Sequence, residues 1–369
     1  MADKIKVGII GVGGISEFHI KAYLENPQVE VYAFCDINRN RLEKMGEKYG
    51  ITRLFDNKED MLALDEIDAV SVCTWNSAHA PCTIAALNAG KHVLCEKPMA
   101  MNEKEAEAMK AAAEKNGKLL MVGFVRRYGN DCKVIKKFID NGDLGEVYYT
   151  KACYLRRNGN PGGWFGEKAR SGGGPLIDLG VHVIDLVRYV CGNPKPVSVY
   201  GVTYQKLFDR KGTVGKPKYL SSGATDHDIC DVEDMATALI RFDNGMTLAV
   251  EASFCLNIKD DKGEIELFGT KAGAKLNPDV EIYGSMNNYL TNVSFDAPTA
   301  LDFNGLVENE INNFIGCIAD GTKECKSPAD DGIVLMRILD AVYESAKTGH
   351  EVVLNYAYAK ERNFKRWVI

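Results

Sequence analysis

A chain of 369 residues is longer than one hydrophobic core ordinarily fills, since cores stop growing at about 250–300 residues, so two domains are expected. With 46% hydrophobic and 26% charged residues the composition is globular, and a net charge of −6 argues against nucleic acid or an anionic membrane surface as partner. The eleven cysteines include no Cys-x-x-Cys pair, and Cys35, Cys73, Cys95, Cys153 and Cys255 lie in apolar runs where a reduced thiol packs as a small hydrophobe. No apolar stretch approaches the ~18–20 residues that span a bilayer. The start runs directly into a strand without a signal-peptide pattern. These features predict a cytoplasmic enzyme with reduced thiols, no metal and no membrane contact.

The first third alternates strands with helices. Strands are predicted at Ile5–Ile10, Val29–Asp36, Ala69–Thr74, His92–Cys95 and Leu119–Gly123, and helices near Ser16–Glu25, Arg39–Tyr49, Ala78–Ala89 and Glu103–Asn116. Nearly unbroken apolar strands separated by helices imply a parallel sheet buried on both faces, a doubly wound α/β domain over residues 1–123. Beyond Phe124 comes a helix carrying Val134, Ile135, Phe138 and Ile139 on one face, then a strand at Glu146–Leu155. A glycine-rich loop and a strong helix follow. The chain then turns strand-rich, with hairpin signals at Asp243-Asn244-Gly245 and between Glu264–Phe268 and Ala274–Leu276. Two helices near Asn304–Asp320 and Ala329–Lys347 are expected to close this second domain, residues 124–369. Its expected class is α+β with a large, mostly antiparallel open sheet.

The turn after the first strand reads Gly8-Ile-Ile-Gly11-Val-Gly13-Gly14-Ile15-Ser16. Gly11 permits the tight turn and Gly13 allows a pyrophosphate to approach the helix N-terminus, with Gly14 and Ile15 completing the cradle. Ser16 replaces the third glycine of the fingerprint. Asp36, at the end of the next strand, suits a ribose 2′-hydroxyl and repels a 2′-phosphate, so NAD is the expected cofactor. Arg39 and Arg41 are placed to cover the adenine or reach a phosphate.

Two strand ends carry further polar residues, Thr74-Trp75-Asn76-Ser77-Ala78-His79 and Cys95-Glu96-Lys97-Pro98. Downstream stands Gly172-Gly-Gly-Pro-Leu-Ile-Asp178-Leu-Gly-Val-His182. In order, the fingerprint, the Glu-Lys-Pro turn and the Asp-x-x-x-His helix resemble the glucose-fructose oxidoreductase/inositol dehydrogenase/rhizopine-catabolism (Gfo/Idh/MocA) family over nearly the whole chain. The resemblance implies a Rossmann domain followed by a sheet domain that often mediates oligomerisation. It implies that Lys97, Asp178 and His182 surround the reacting carbon and that Glu96 helps hold the nicotinamide ribose. Thr74, Trp75, Asn76 and His79 match the family's cofactor-lining stretch.

These residue types suit oxidation of a secondary alcohol. The cofactor accepts a hydride, and the protein supplies position, charge and a base. Four residues apart on a helix, Asp178 and His182 share a face, and Asp185 falls near it. A carboxylate beside an imidazole orients a general base, while Lys97 can hydrogen-bond the reacting oxygen or, with a lowered pKa, serve as base itself. The residues leave both options open, with His182 preferred. Arg127, Tyr128, Arg156 and Trp164 combine guanidinium donors and aromatic faces of the kind that hold sugars. The 158–174 loop, hinged at its glycines, is expected to act as a lid. Asp226–Asp234 lacks zinc-ligand spacing and is read as a solvated acidic loop, with a neighbouring subunit's site as its alternative use. The expected activity is NAD-dependent oxidation of a hydroxyl of a sugar, glycoside or cyclitol, in a homo-oligomer assembled through the second sheet. The alternatives are an NAD-dependent glycosidase working by transient C3 oxidation, and a non-catalytic dinucleotide-binding regulator.

Overall fold

In the computed structural model, residues 4–207, 219–221, 223–225, 227–276, 279–296, 298–300 and 302–354 are described. The first sheet contains β1 (Ile5–Ile10), β2 (Val29–Cys35), β3 (Leu54–Phe55), β4 (Ala69–Val72), β5 (His92–Glu96) and β6 (Leu120–Gly123). They pair in parallel in the order β3-β2-β1-β4-β5-β6, so the order reverses between β1 and β4. That reversal opens a crevice at the carboxyl ends of the strands. The crossovers are α1 (Ser16–Glu25), α2 (Arg39–Tyr49), α3 (Lys58–Leu62), α4 (Asn76–Asn88) and α5 (Glu103–Asn116). Asn38 starts α2 by accepting the Arg41 amide at 3.0 Å, and Asn102 starts α5 by accepting that of Glu105 at 3.0 Å. β3 and α3 were not anticipated, being too short for a periodic pattern.

The second unit comprises α6 (Asn130–Asp140), β7 (Val147–Leu155), α7 (Lys168–Ser171), α8 (Val181–Val190), β8 (Pro196–Tyr204), β9 (Met235–Phe242), β10 (Thr247–Ser253), β11 (Lys262–Gly269), β12 (Gly273–Leu276), β13 (Glu281–Met286), β14 (Tyr289–Val293), α9 (Phe303–Ala319), α10 (Ala329–Thr348) and β15 (Val352–Val353). The nine strands run β14-β13-β12-β11-β7-β10-β9-β8-β15, antiparallel except for the parallel β7–β10 pair. Alternate residues of β9 and β10 (Ala236, Ala238, Ile240; Leu248, Val250, Ala252) point into the core, while their neighbours face outward.

The closing helices do not both belong to the second sheet. The apolar side of α9 (Leu306, Val307, Ile311, Phe314, Ile315) joins Val7, Ile9, Ile20 and Phe34 in one cluster, so α9 packs beside α1 on the first sheet. The first sheet needs that cover because its strands are apolar on both faces. Helix α10 lies between β8 and α5, so one core runs through both units. Among the described residues, no helix is long and apolar enough to cross a membrane.

Candidate active site

A cavity of about 1090 Å³ opens over the crevice and runs from the glycine turn to the start of α8. At one end the chain turns at Gly11 with φ +87°, where a Cβ would lie 2.6 Å from the Cys73 carbonyl oxygen, so no other residue fits. A Cβ on Gly13 would meet nothing within 4 Å, which leaves its backbone open to a ligand at the N-terminus of α1. Ser16, in place of the third glycine, donates its hydroxyl to the Gly13 carbonyl at 2.7 Å and stiffens the turn. The Asp36 carboxylate lies beside this turn, accepting the amides of Val12 (2.9 Å) and Asn38 (2.8 Å). An open glycine turn, helix N-terminus and acid in this order fit the pyrophosphate and adenosine ribose of NAD.

At the other end, β5 delivers Glu96 and Lys97. The Lys97 ammonium donates to Asp178 twice, to Oδ1 at 2.9 Å and to the carbonyl at 3.1 Å. Asp178 sits in a π-helical turn, Leu176–Gly180, that runs directly into α8. Such turns widen the helix locally and recur at functional sites. The sequence places Asp178 against His182; the structure instead turns it to Lys97, and no Asp178–His182 bond forms. Among the described residues His182 has no hydrogen-bond partner, and it lines the cavity. Burial holds its pKa well below the ordinary histidine range, and the cations of Lys97, Arg126 and Arg156 push the same way. The imidazole is therefore neutral and able to accept a proton.

Along the cavity lie Gly14, Ile15, Thr74, Trp75, Asn76, Glu96, Arg156 and Trp164, as the sequence anticipated for their positions. Four expectations do not hold geometrically. Arg39 points outward to Glu43 at 2.8 Å, and Arg41 is the arginine at the cavity, 3.5 Å from Asp36. His79 is buried between the carbonyls of Pro98 (2.7 Å) and Thr74 (3.1 Å), where it braces the lysine turn and does not face a ligand. Arg127 is 1% exposed, its donors spent on Asp185 (2.6 and 3.0 Å), Asp331 (2.7 Å) and the Lys326 carbonyl (2.6 Å). Asp185 is thus half of a buried ion pair and stands outside the cavity. Tyr128 is buried too, donating to Asn313 at 3.0 Å. A guanidinium and a phenol read from sequence look alike whether they face a sugar or a core.

The glycine loop also differs from a hinged lid at its second end. A Cβ on Gly174 would lie 2.0 Å from the Glu233 carbonyl oxygen, and one on Gly173 would lie 1.9 Å from the Tyr343 hydroxyl. Those glycines exist for close packing. The acidic loop is part of this same chain's cavity: His227, Asp228 and Ile229 line it, and Asp228 accepts the Gly163 amide, tying the two loops together. Asp226 lies outside the described residues. Sequence reasoning missed Tyr219 and Ser221, which carry no motif. Trp164 and Phe165 stack at 3.9 Å between ring centroids, Tyr219 sets its edge on Phe165 at 6.1 Å, and Arg170 covers Trp75 at 5.2 Å.

Residues 5–124 match the family model described as oxidoreductase family, NAD-binding Rossmann fold, and residues 132–275 match that of the GFO/IDH/MocA C-terminal domain. The chain belongs to the GFO/IDH/MocA oxidoreductase family. It is an oxidoreductase of CH–OH groups, with NAD as the cofactor of its Rossmann domain. Among its relatives is the D-glucoside 3-dehydrogenase of Escherichia coli K12, 36% identical over 356 residues, 96% of this chain and 98% of that one. The levoglucosan dehydrogenase of Pseudarthrobacter phenanthrenivorans is 28% identical over 290 residues, 74% of each chain. A crystal structure of levoglucosan dehydrogenase in complex with NADH superposes with a TM-score of 0.83 at 25% identity, covering 96% of this chain and all of that one.

Proposed function

We propose that this family member oxidises a secondary hydroxyl of a glucopyranoside, at C3, to the ketone. The observation that carries the reading is that one cavity end brings together Lys97, paired with Asp178, and a neutral histidine. The Lys97 Nζ is held by the Asp178 carboxylate at 2.9 Å, a donor placed to stabilise negative charge on the substrate oxygen. His182 is then the acceptor of the hydroxyl proton. NAD held by the glycine turn and Asp36 would supply the hydride acceptor. Asp178 fixes the position of the lysine amine. The 36% identity to a D-glucoside 3-dehydrogenase supports the glycoside and the carbon. The aromatic pair Trp164–Phe165 at the mouth supports a substrate with a ring or aglycone beyond the sugar.

A panel of free sugars, inositols, alkyl glycosides and aryl glycosides, incubated with NAD and read by NADH absorbance, tests this. Accumulation of NADH with glycosides, and a product two hydrogens lighter, is expected. Aglycone release without net NADH would replace the reading by the glycosidase one, and no turnover with any compound would remove it. We further propose a cytoplasmic homo-oligomer. All eleven cysteines are free thiols, which supports a reducing compartment, and the outer face of the second sheet carries half-exposed Tyr200 and Leu239, which supports a covering partner.

A further inference from the structure

Beneath the lysine turn lies a set of buried polar groups that the mechanism above does not use. His19 on α1, Ser71 on β4 and Glu310 on α9 are fully buried, and Tyr23 is buried with them. The Tyr23 hydroxyl and Ser71 Oγ are 2.7 Å apart, Ser71 Oγ and His19 Nδ1 3.3 Å, and His19 Nε2 and Glu96 Oε1 2.9 Å. One arrangement satisfies every donor: Tyr23 donates to Ser71, Ser71 to His19 Nδ1, and His19 Nε2–H to Glu96. The other Glu96 oxygen accepts the Lys97 amide at 3.1 Å. Every bond in the chain points at one carboxylate, and that carboxylate lines the cavity.

The charge at this place has a consequence for the cofactor. The glycine turn and Asp36 claim the adenosine and pyrophosphate, so the nicotinamide falls at the Lys97 end, next to Glu96. Oxidised nicotinamide carries a positive charge and the reduced ring carries none. We propose that Tyr23, Ser71 and His19 are positioning residues that hold Glu96 as a carboxylate beneath the nicotinamide, and that this fixed charge favours bound NAD+ over bound NADH. The inference rests on the dinucleotide reading of the cavity but not on any polyol.

Glu310 completes the unit. Both its carboxyl oxygens lack a hydrogen-bond partner among the described residues, and a carboxyl oxygen lies within 4.8 Å of the ligand atoms of His19 and Glu96. Burial raises its pKa well above the carboxylate range, and the charges of Glu96 and Asp185 add to that. Burial is the largest single influence on Glu96 and would raise it as well, but the hydrogen bond from His19 and the electrostatic attraction of His19, Lys97 and His79 together outweigh it and hold Glu96 low. The two acids therefore divide the roles, Glu96 ionised and Glu310 neutral. The three side chains have donor types that could grip a divalent cation, yet His19 Nε2 is already spent on Glu96, so a metal is not required.

The test is the ratio of dissociation constants, NADH over NAD+, measured by fluorescence and calorimetry without substrate. His19→Leu removes the donor, and the buried Glu96 then takes up a proton. The ratio is expected to fall about tenfold, chiefly through weaker NAD+ binding. Ser71→Ala, a small change that spares the fold, is expected to lower it about threefold. His19→Gln keeps an N–H for Glu96 and Glu310→Gln replaces one neutral group by another, so both should stay within twofold of wild type. A packing role alone would weaken both dinucleotides equally and leave the ratio fixed in His19→Leu and Ser71→Ala, which would overturn the inference. So would one equivalent of divalent metal in the purified protein, or a tenfold fall in Glu310→Gln. If the ratios behave as expected while no glycoside is oxidised, the proposed function falls and this inference stands.

Discussion

At the scale of single residues, the site sets two nitrogen groups of different kinds side by side, an amine paired with a carboxylate and an imidazole unpaired among the described residues. Lys97 is paired with the Asp178 carboxylate 2.9 Å away, whereas His182 is held neutral by burial and by the nearby positive charges. Replacing His182 with Asn should lower kcat by roughly 10²–10⁴-fold, the contribution of a positioned general base, with little change in NAD affinity. Lys97→Met should lower kcat by about 10²–10³-fold, as loss of a group that stabilises an oxyanion does. Steady-state kinetics beside dinucleotide titrations separate the two effects. The pH profile follows from the sign of the histidine shift. A base whose pKa lies below its usual value is already deprotonated at neutral pH, so kcat/KM should be level there. The acid limb should appear below about 6.5, the free imidazole value. A limb centred at or above that value would assign the proton to another group.

Among elements, the decisive contact joins the end of the first sheet to the second unit. The short 3-10 turn Val125–Tyr128 follows β6 and carries Arg127 inward, where Asp185 of α8 and Asp331 of α10 receive it. Burial opposes the guanidinium charge, but the two carboxylates outweigh it and hold Arg127 above its ordinary pKa. Arg127→Ala strands two buried acids and should cost about 3–5 kcal/mol of stability, seen as a lowered melting temperature. Because Arg127 stands outside the cavity, KM for the glycoside should be unchanged well below the melt. A selective rise in KM would restore the sugar-binding role that its sequence position suggests. The same reasoning explains Gly173 and Gly174, whose missing side chains let the strand lead at Glu233 and helix α10 press against the glycine run.

On the scale of the whole molecule, the nine-stranded sheet buries one face against α8 and α10 and leaves the other outward. Tyr200 and Leu239 are paired across β8 and β9 on that outward face, 48% and 45% exposed. Beyond the intervening β10, Tyr149 of β7 and Phe268 of β11 stack at 5.6 Å, with the Lys151 ammonium over both rings. If copies assemble through this face, Tyr200→Asp with Leu239→Asp should yield monomers in analytical ultracentrifugation, with the melting temperature of the isolated chain preserved. An unchanged sedimentation coefficient would move the interface elsewhere. Helix α9 adds a second molecular-scale consequence. By packing beside α1 it brings Glu310 to His19 and Glu96, and its Phe303 and Val307 line the cavity, so the cavity is assembled from segments far apart in the chain.

Much of this was legible in the residues themselves. β1, α1, α2 and α5 begin and end where period and capping residues place them, because a buried parallel strand must be apolar throughout and a helix must satisfy its first amides locally. The glycine turn and Asp36 were readable for a similar reason, since their chemistry depends on residue type and on short-range spacing, whereas Lys97, Asp178 and His182 were singled out by the family resemblance. What the chain could not declare was direction. Whether Asp178 faces His182 or Lys97 was settled by a π-turn, and whether Arg127 meets a sugar or Asp331 by contacts across 204 residues of sequence. Burial keeps Glu310 neutral while His19, Lys97 and His79 keep Glu96 ionised against it, and both burial and neighbours are properties of the packed molecule alone.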